Sequence, residues 1–131
     1  MRCTDQERDR MNPALWTAQF RKGLVEFCVL ATLEPGEAYG YQILERLNAA
    51  PGLATAESTV YPLLARLERD GHLTVRTAPS PSGPPRRYYR LTPAGRTRLR
   101  NMARYWFQIQ DSINHLVKEH RNDDGPPETE R

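Results

Sequence analysis

The 131-residue sequence predicts a mostly helical fold with one small β-hairpin, a winged helix-turn-helix extended by a long C-terminal dimerisation helix. Three observations predict it. Residues 58–96, STVYPLLARLERDGHLTVRTAPSPSGPPRRYYRLTPAGR, read as a short helix, a basic hairpin with a proline-rich tip, and a further helix start. Positive charge is concentrated there: residues 55–104 hold ten arginines against Glu57, Glu68 and Asp70, a net +7 in a chain whose total is +3. Beyond the hairpin, Leu99, Met102, Trp106, Ile109, Ile113 and Leu116 recur in alternating steps of three and four, a heptad seam.

In chain order, residues 1–11 are polar without periodicity and are expected to form a disordered tail. Asn12 and Pro13 make a favourable cap and first position for a helix running from Pro13 to Leu33. Its second half, with Leu24, Phe27, Cys28, Leu30 and Ala31, is apolar on most sides and belongs in the core. Leu15, Trp16 and Phe20 in its first half are too many for one small core, which makes them candidates for contact with a second subunit. Glu34-Pro35-Gly36 breaks the helix, and AYGYQILERLNAA resumes helical spacing as a second helix that Pro51-Gly52 ends.

A third helix starts at Thr55 or Ala56, with Val60, Leu63, Leu64 and Leu67 inward and Arg66 and Arg69 outward. Pro62 costs it one backbone bond near its start, and Gly71 stops it. Strands over 72–77 and 86–92 flank APSPSGPP, which suits neither helix nor paired strand. Alternation places Tyr89 and Leu91 on one face of the second strand and Arg86, Tyr88 and Arg90 on the other. Thr92 and Pro93 then cap and open the last helix. About 28 residues long, it spans roughly 42 Å, more than a small domain covers alone. A second copy of the chain is the simplest partner for its seam, and the chain's own first helix is the alternative. The domain scheme is thus a tail over 1–11, a DNA-binding domain over 12–92, a dimerisation helix over 93–121 and a disordered acidic tail over 122–131.

Composition narrows the function. A basic face attracts polyanions, and phosphate neutralisation supplies much of any nucleic-acid affinity. The third helix offers Ser58, Thr59 and Tyr61 in its first turns, where hydroxyls and the helix N-terminus suit phosphate or base edges; the same residues also serve as local caps or half-buried packing. Arg86 and Arg87 border the wing tip with a shape suited to phosphate or a narrow minor groove, Tyr88 shares one strand face with Arg86 and joins them as a candidate, and Arg66 suits the backbone. His72, His115 and His120 have neither metal-ligand nor triad spacing, no glycine-rich phosphate loop is present, and no enzyme, metal or cofactor is predicted. Cys3 and Cys28 make no evident pair, the apolar run over 24–33 is too short to span a bilayer, and the composition points to the cytoplasm. Trp106 is either ordinary seam packing or, with its symmetry mate and Phe20, Leu24 and Ile109, the wall of a cleft for flat aromatic ligands.

The motifs Tyr39-Gly40-Tyr41, Thr59-Val60-Tyr61-Pro62, Leu67-Glu68-Arg69-Asp70-Gly71 and Arg87-Tyr88-Tyr89-Arg90-Leu91-Thr92, in this order, resemble those of the PadR family of bacterial transcriptional regulators over residues 20–100. The single remaining helix with Trp106 resembles the family's small subfamily, whose multidrug-responsive members hold planar drugs between paired tryptophans. The resemblance implies a homodimer on a palindromic operator in double-stranded DNA, a repressor released by a small aromatic effector. It implies DNA contact by Tyr39, Ser58, Thr59, Tyr61, Arg86 and Arg87. Two departures stand out: Ser58 occupies a position where glycine is frequent, and the wing tip is unusually rich in proline. A winged-helix docking or architectural module without an effector is the alternative from a different class.

Overall fold

The computed structural model describes residues 14–124, with side chains over 18–118. Eight elements follow one another: α1 (Ala14–Lys22), α2 (Val25–Thr32), β1 (Ala38–Tyr39), α3 (Gly40–Ala49), α4 (Glu57–Arg69), β2 (Leu73–Ala78), β3 (Arg86–Leu91) and α5 (Pro93–Asp124). The chain divides into two compact units, one through Leu99 and one from Arg100 onward. The first unit contains the helix-turn-helix, the wing and the opening of α5. The second consists of the remainder of α5.

The first helix does not run unbroken from Pro13 to Leu33, as the apolar pattern suggests. It is interrupted at Gly23 and Leu24, where Leu24 N–H bonds back to Arg21 in a tight turn before α2 begins. Gly23 has the weakest helix preference in the interior of the segment, and the turn lets α2 follow its own apolar face into the core, burying Val29 and Leu30 completely. Residues 1–13, including the expected tail and the Asn12 cap, lie outside the described residues, as do the side chains of Leu15 and Trp16.

The sheet holds three strands in the order β1-β3-β2, all antiparallel, rather than the hairpin alone. The extra strand, Ala38–Tyr39, is the piece of chain that sequence periodicity assigns to the start of the second helix. It pairs Ala38 with Tyr89 and Tyr39 with Tyr88, so α3 starts only at Gly40. Gln42 Oε1 accepts the Tyr39 N–H at 3.1 Å, which satisfies one donor at that helix entrance.

The core forms where α2, α3, α4 and the inner sheet face meet. Leu33, Ile43, Leu44, Leu47, Val60, Leu63, Leu64 and Leu67 are buried with Leu73, Tyr89 and Leu91. The period of 3.6 in α4 and the period of 2 in β3 therefore point at the same interior.

Two local signals do what the sequence predicts. Gly71 adopts φ +84°, and the bonds Gly71 N–H to Glu68 O and His72 N–H to Leu67 O close α4 with a Schellman motif. Thr92 Oγ1 accepts the Gly95 N–H at 2.9 Å and donates to Gly71 O at 2.7 Å, so one hydroxyl caps α5 and ties it to the end of α4. Gly95 is required there because a Cβ at that position would collide with the His72 carbonyl. The long helix continues through Asp124, three residues into the segment expected to be tail; residues 125–131 lie outside the described region.

Candidate nucleic-acid interface

The side chains singled out in the sequence sort around α4 by helical phase. Ala56 is the N-cap of α4 and no side chain caps the helix, so Ser58 and Thr59 sit within its first turn and leave their hydroxyls at the exposed surface. Pro62 has no N–H to give the Ser58 carbonyl, which leaves another acceptor at this end of the helix. Tyr61 projects toward the start of α3 and is 39% exposed. Its ring lies against Gly40, where a Cβ would stand 2.5 Å from Tyr61 Cε1 and 3.0 Å from the hydroxyl oxygen. Burial first, then the charges of Glu57 and Tyr89, push the Tyr61 phenol above its ordinary value. The Tyr61 hydroxyl can donate a hydrogen bond.

Tyr61 forms one wall of an open groove of about 720 Å³ between the helix-turn-helix and the wing. Tyr39 contributes from the end of β1, Tyr41 and Ala65 from α3 and α4, Ser80, Ser82, Pro84 and Pro85 from the wing tip, and Arg86 and Arg87 from β3. The proline-rich tip that prevents pairing in the sequence thus shapes one rim. Tyr41, 55% exposed, and the tip serines are not among the site residues expected from the sequence. The YGY motif was the available signal for Tyr41, and no local pattern marks Ser80 or Ser82.

The two wing arginines diverge. Arg87, on the inner face of β3, donates to Glu68 of α4 at 3.3 Å and to the Tyr89 hydroxyl at 3.4 Å. Arg86, on the outer face, lies 4.3 Å over the Tyr39 ring. Tyr39 meets Tyr88 edge-on at 5.4 Å, and Arg76 stacks 4.6 Å over the far side of that pair. Glu37 completes the row by pairing with Arg76 and Arg90. The Arg76 hydrogen bond is the leading cause that holds the Glu37 carboxyl below its ordinary value.

Arg66 and Thr59 do not join the groove. Arg66 pairs with Glu26 of α2 and with Asp70, while Thr59 lines a separate depression with Arg21, Lys22, Asn48 and Thr55. Of the residues expected around an aromatic ligand, Phe20 lies in α1 and Leu24 at the turn after it, whereas Trp106 and Ile109 belong to the second unit. Leu99, expected at the start of the seam, is a buried core residue, but Ile113 and Leu116 are 47% and 67% exposed. Among the described residues no group of three or more His, Cys, Asp or Glu side chains is arranged to hold a metal, and no helix is long and apolar enough to cross a membrane.

A family model described as the transcriptional regulator PadR-like family matches residues 29–101, from the buried end of α2 through the wing into α5. The chain belongs to the PadR-like family. The chain is also similar to Transcriptional regulator Rv3488 of Mycobacterium tuberculosis, 36% identical over 81 residues that cover 62% of this chain and 74% of the relative. A PadR-family regulator from Eggerthella lenta superposes with a TM-score of 0.71 at 31% identity, over 86% of this chain and 96% of the other. Bacillus subtilis PadR, solved in complex with operator DNA, superposes with a TM-score of 0.58 at 27% identity, over 61% of this chain and 46% of its own. PadR-family membership makes the protein a transcriptional regulator rather than an enzyme.

Proposed function

We propose that this PadR-family regulator binds double-stranded DNA as a homodimer, represses transcription from a palindromic operator, and is released by a small planar aromatic ligand. The observation that carries DNA binding is the groove between α4 and the wing, which gathers Tyr39, Tyr61, Arg86 and Arg87 from three separated parts of the chain. In this reading the first two turns of α4, with Ser58, Thr59 and Tyr61, enter the major groove, and the wing follows the adjacent backbone or minor groove. The operator complex of Bacillus subtilis PadR supports it. The exposed seam residues Ile113 and Leu116 support pairing through α5, and two copies would present two α4 helices to the half-sites of a palindrome. Release by an aromatic ligand rests on Trp106 in α5 and on the subfamily resemblance. Such a regulator would work in the cytoplasm.

Footprinting on the DNA flanking its own gene tests the reading. A protected palindrome is expected. Salt-sensitive binding that is equal on native and scrambled duplexes would replace the operator with non-specific architectural binding. Planar aromatics should quench tryptophan fluorescence, and Trp106→Ala should abolish the effect; persistence of quenching and affinity in that variant would remove Trp106 from the site.

A further inference from the structure

The outer face of the wing sheet arranges its charges unequally. Of its cations, Arg76 and Arg90 share Glu37, and across the sheet Arg87 is held by Glu68 and the Tyr89 hydroxyl. Among the described residues Arg86 pairs with no carboxylate and instead lies on the Tyr39 ring. The register explains the contact. Tyr39 faces Tyr88 directly across β1 and β3, which puts Arg86 on the diagonal, within reach of a long side chain. Tyr88 meets the Tyr39 ring edge-on and is itself covered by Arg76, so the Tyr39 ring is braced from behind.

Stacking and ion pairing have different consequences for a guanidinium. A carboxylate neutralises the charge and occupies in-plane donors. An aromatic face does neither: it restrains the plane by the ring quadrupole and leaves the N–H donors directed outward at the ring's edge. Arg86 therefore reaches the rim of the groove charged, partly ordered and with its donors available, whereas Arg87 must first leave two intramolecular partners.

We infer that Arg86 is the wing's phosphate contact, that Tyr39 and Tyr88 are positioning residues acting through it, and that Arg87 is a strut fastening the wing to α4. The inference rests on the proposed binding of duplex DNA and divides a role that the sequence assigns equally to both arginines. The ligand chemistry is the phosphodiester backbone, so the effect is independent of base sequence.

The experiment uses the full chain and a fluorescein-labelled duplex of mixed sequence, long enough for two successive major-groove half-sites, titrated by anisotropy at several salt concentrations. Arg86→Ala is expected to weaken binding about tenfold and to reduce the slope of log affinity against log salt by about one per protomer. Arg87→Ala is expected to keep the wild-type slope. Tyr39→Leu should move the slope toward that of Arg86→Ala, and Tyr39→Phe, which retains the ring face without the hydroxyl, should restore it. In the Arg86→Ala background, Tyr39→Leu should have no further effect on slope. Circular dichroism melting of each variant identifies any loss due to unfolding, and Tyr39→Phe remains informative if the leucine variant is unstable. Equal slope losses for Arg86→Ala and Arg87→Ala would overturn the division of roles. Failure of Tyr39→Phe to restore binding would replace positioning with direct contact by the hydroxyl. Absence of salt-dependent binding by the wild-type chain would instead remove the DNA-binding reading and this inference with it.

Discussion

Arg98 Nε of α5 donates a hydrogen bond to Glu26 Oε2 of α2 across 72 positions of sequence. The other carboxylate oxygen of Glu26 accepts from Arg66 of α4 at 3.3 Å, so one half-buried acid joins the candidate reading helix to the base of the long helix. Burial alone would push the Glu26 carboxyl up, but Arg98 and then Arg66 more than offset it and hold the group below its ordinary value.

A folded-state value below the unfolded one means that the stabilisation is complete above the unfolded carboxylate range and disappears as pH falls through the folded value. Thermal unfolding followed between neutral pH and pH 3 should therefore show stability falling from about pH 4.5 downward. Glu26→Gln should flatten part of that fall and lower stability at neutral pH by about 1 kcal/mol, since the cluster remains partly exposed and screened. The remaining acid-side slope belongs in part to Glu37, whose value is lowered by Arg76. An unchanged pH profile in Glu26→Gln would show that the cluster contributes nothing in solution.

The close approach of Tyr61 to Gly40 predicts a non-additive pair. Gly40→Ala places a methyl 2.5 Å from Tyr61 Cε1, so the ring must leave its position in the groove. Because only the ring end of a part-exposed side chain is met, it can swing aside at a cost of about 1 kcal/mol, the low end for overpacking, and displacement of Tyr61 should also weaken DNA binding. In Gly40→Ala/Tyr61→Ala the steric conflict is gone, and the second substitution should cost much less stability than Tyr61→Ala does alone. Double-mutant cycles by thermal or urea unfolding measure that coupling; additivity would place the Tyr61 ring elsewhere in solution.

Where the sequence carried a local chemical reason, the fold was legible. Gly71 as a helix stop, Thr92-Pro93 as a helix start, and the alternation that buries Tyr89 and Leu91 each depend on only a few neighbouring residues. The break at Gly23 and Leu24 is hidden because Phe20, Leu24 and Phe27 keep helical spacing across it, and periodicity cannot distinguish one helix from two in succession. β1 was hidden for another reason: two residues acquire strand character only by pairing with Tyr88 and Tyr89, some 50 positions away. The site divides similarly. Its composition and approximate place could be read, but the partners that distinguish Arg86 from Arg87 come from Tyr39 and Glu68, and no spacing rule supplies those contacts.

The Thr92 hydroxyl has two partners in different elements, Gly95 N–H in α5 and Gly71 O at the end of α4. Thr92→Ala should lower stability by about 1–2 kcal/mol, a large value for a single exposed-side cap because both bonds are lost together. Thr92→Ser keeps the oxygen and should recover most of that loss. Circular dichroism melting of the two variants compares them directly, and equal destabilisation by Ala and Ser would attribute the effect to the methyl group instead.

The long helix makes the final prediction. Along α5, Ile113 and Leu116 fall three residues apart on the heptad seam and are exposed in the single chain, as are Tyr105 and Phe107. Exposed side chains of this size at heptad spacing are stabilised when a second helix covers them, with each full burial contributing about 1.5–3 kcal/mol before the cost of association. Ile113→Glu/Leu116→Glu places two carboxylates on the seam of each protomer, so association would bring four like charges together in a low-dielectric contact. Light scattering at micromolar concentration should then report a dimer for the wild-type chain and a monomer for the variant. Operator affinity should fall in the variant as dimerisation is lost, because one protomer presents only one α4 helix. Far-UV circular dichroism should retain the signature of the folded first unit, whose core ends at Leu99 and does not include the substituted positions. A variant that remains dimeric would move the interface off this seam, and a wild-type chain that is monomeric would remove the proposed two-fold arrangement on DNA.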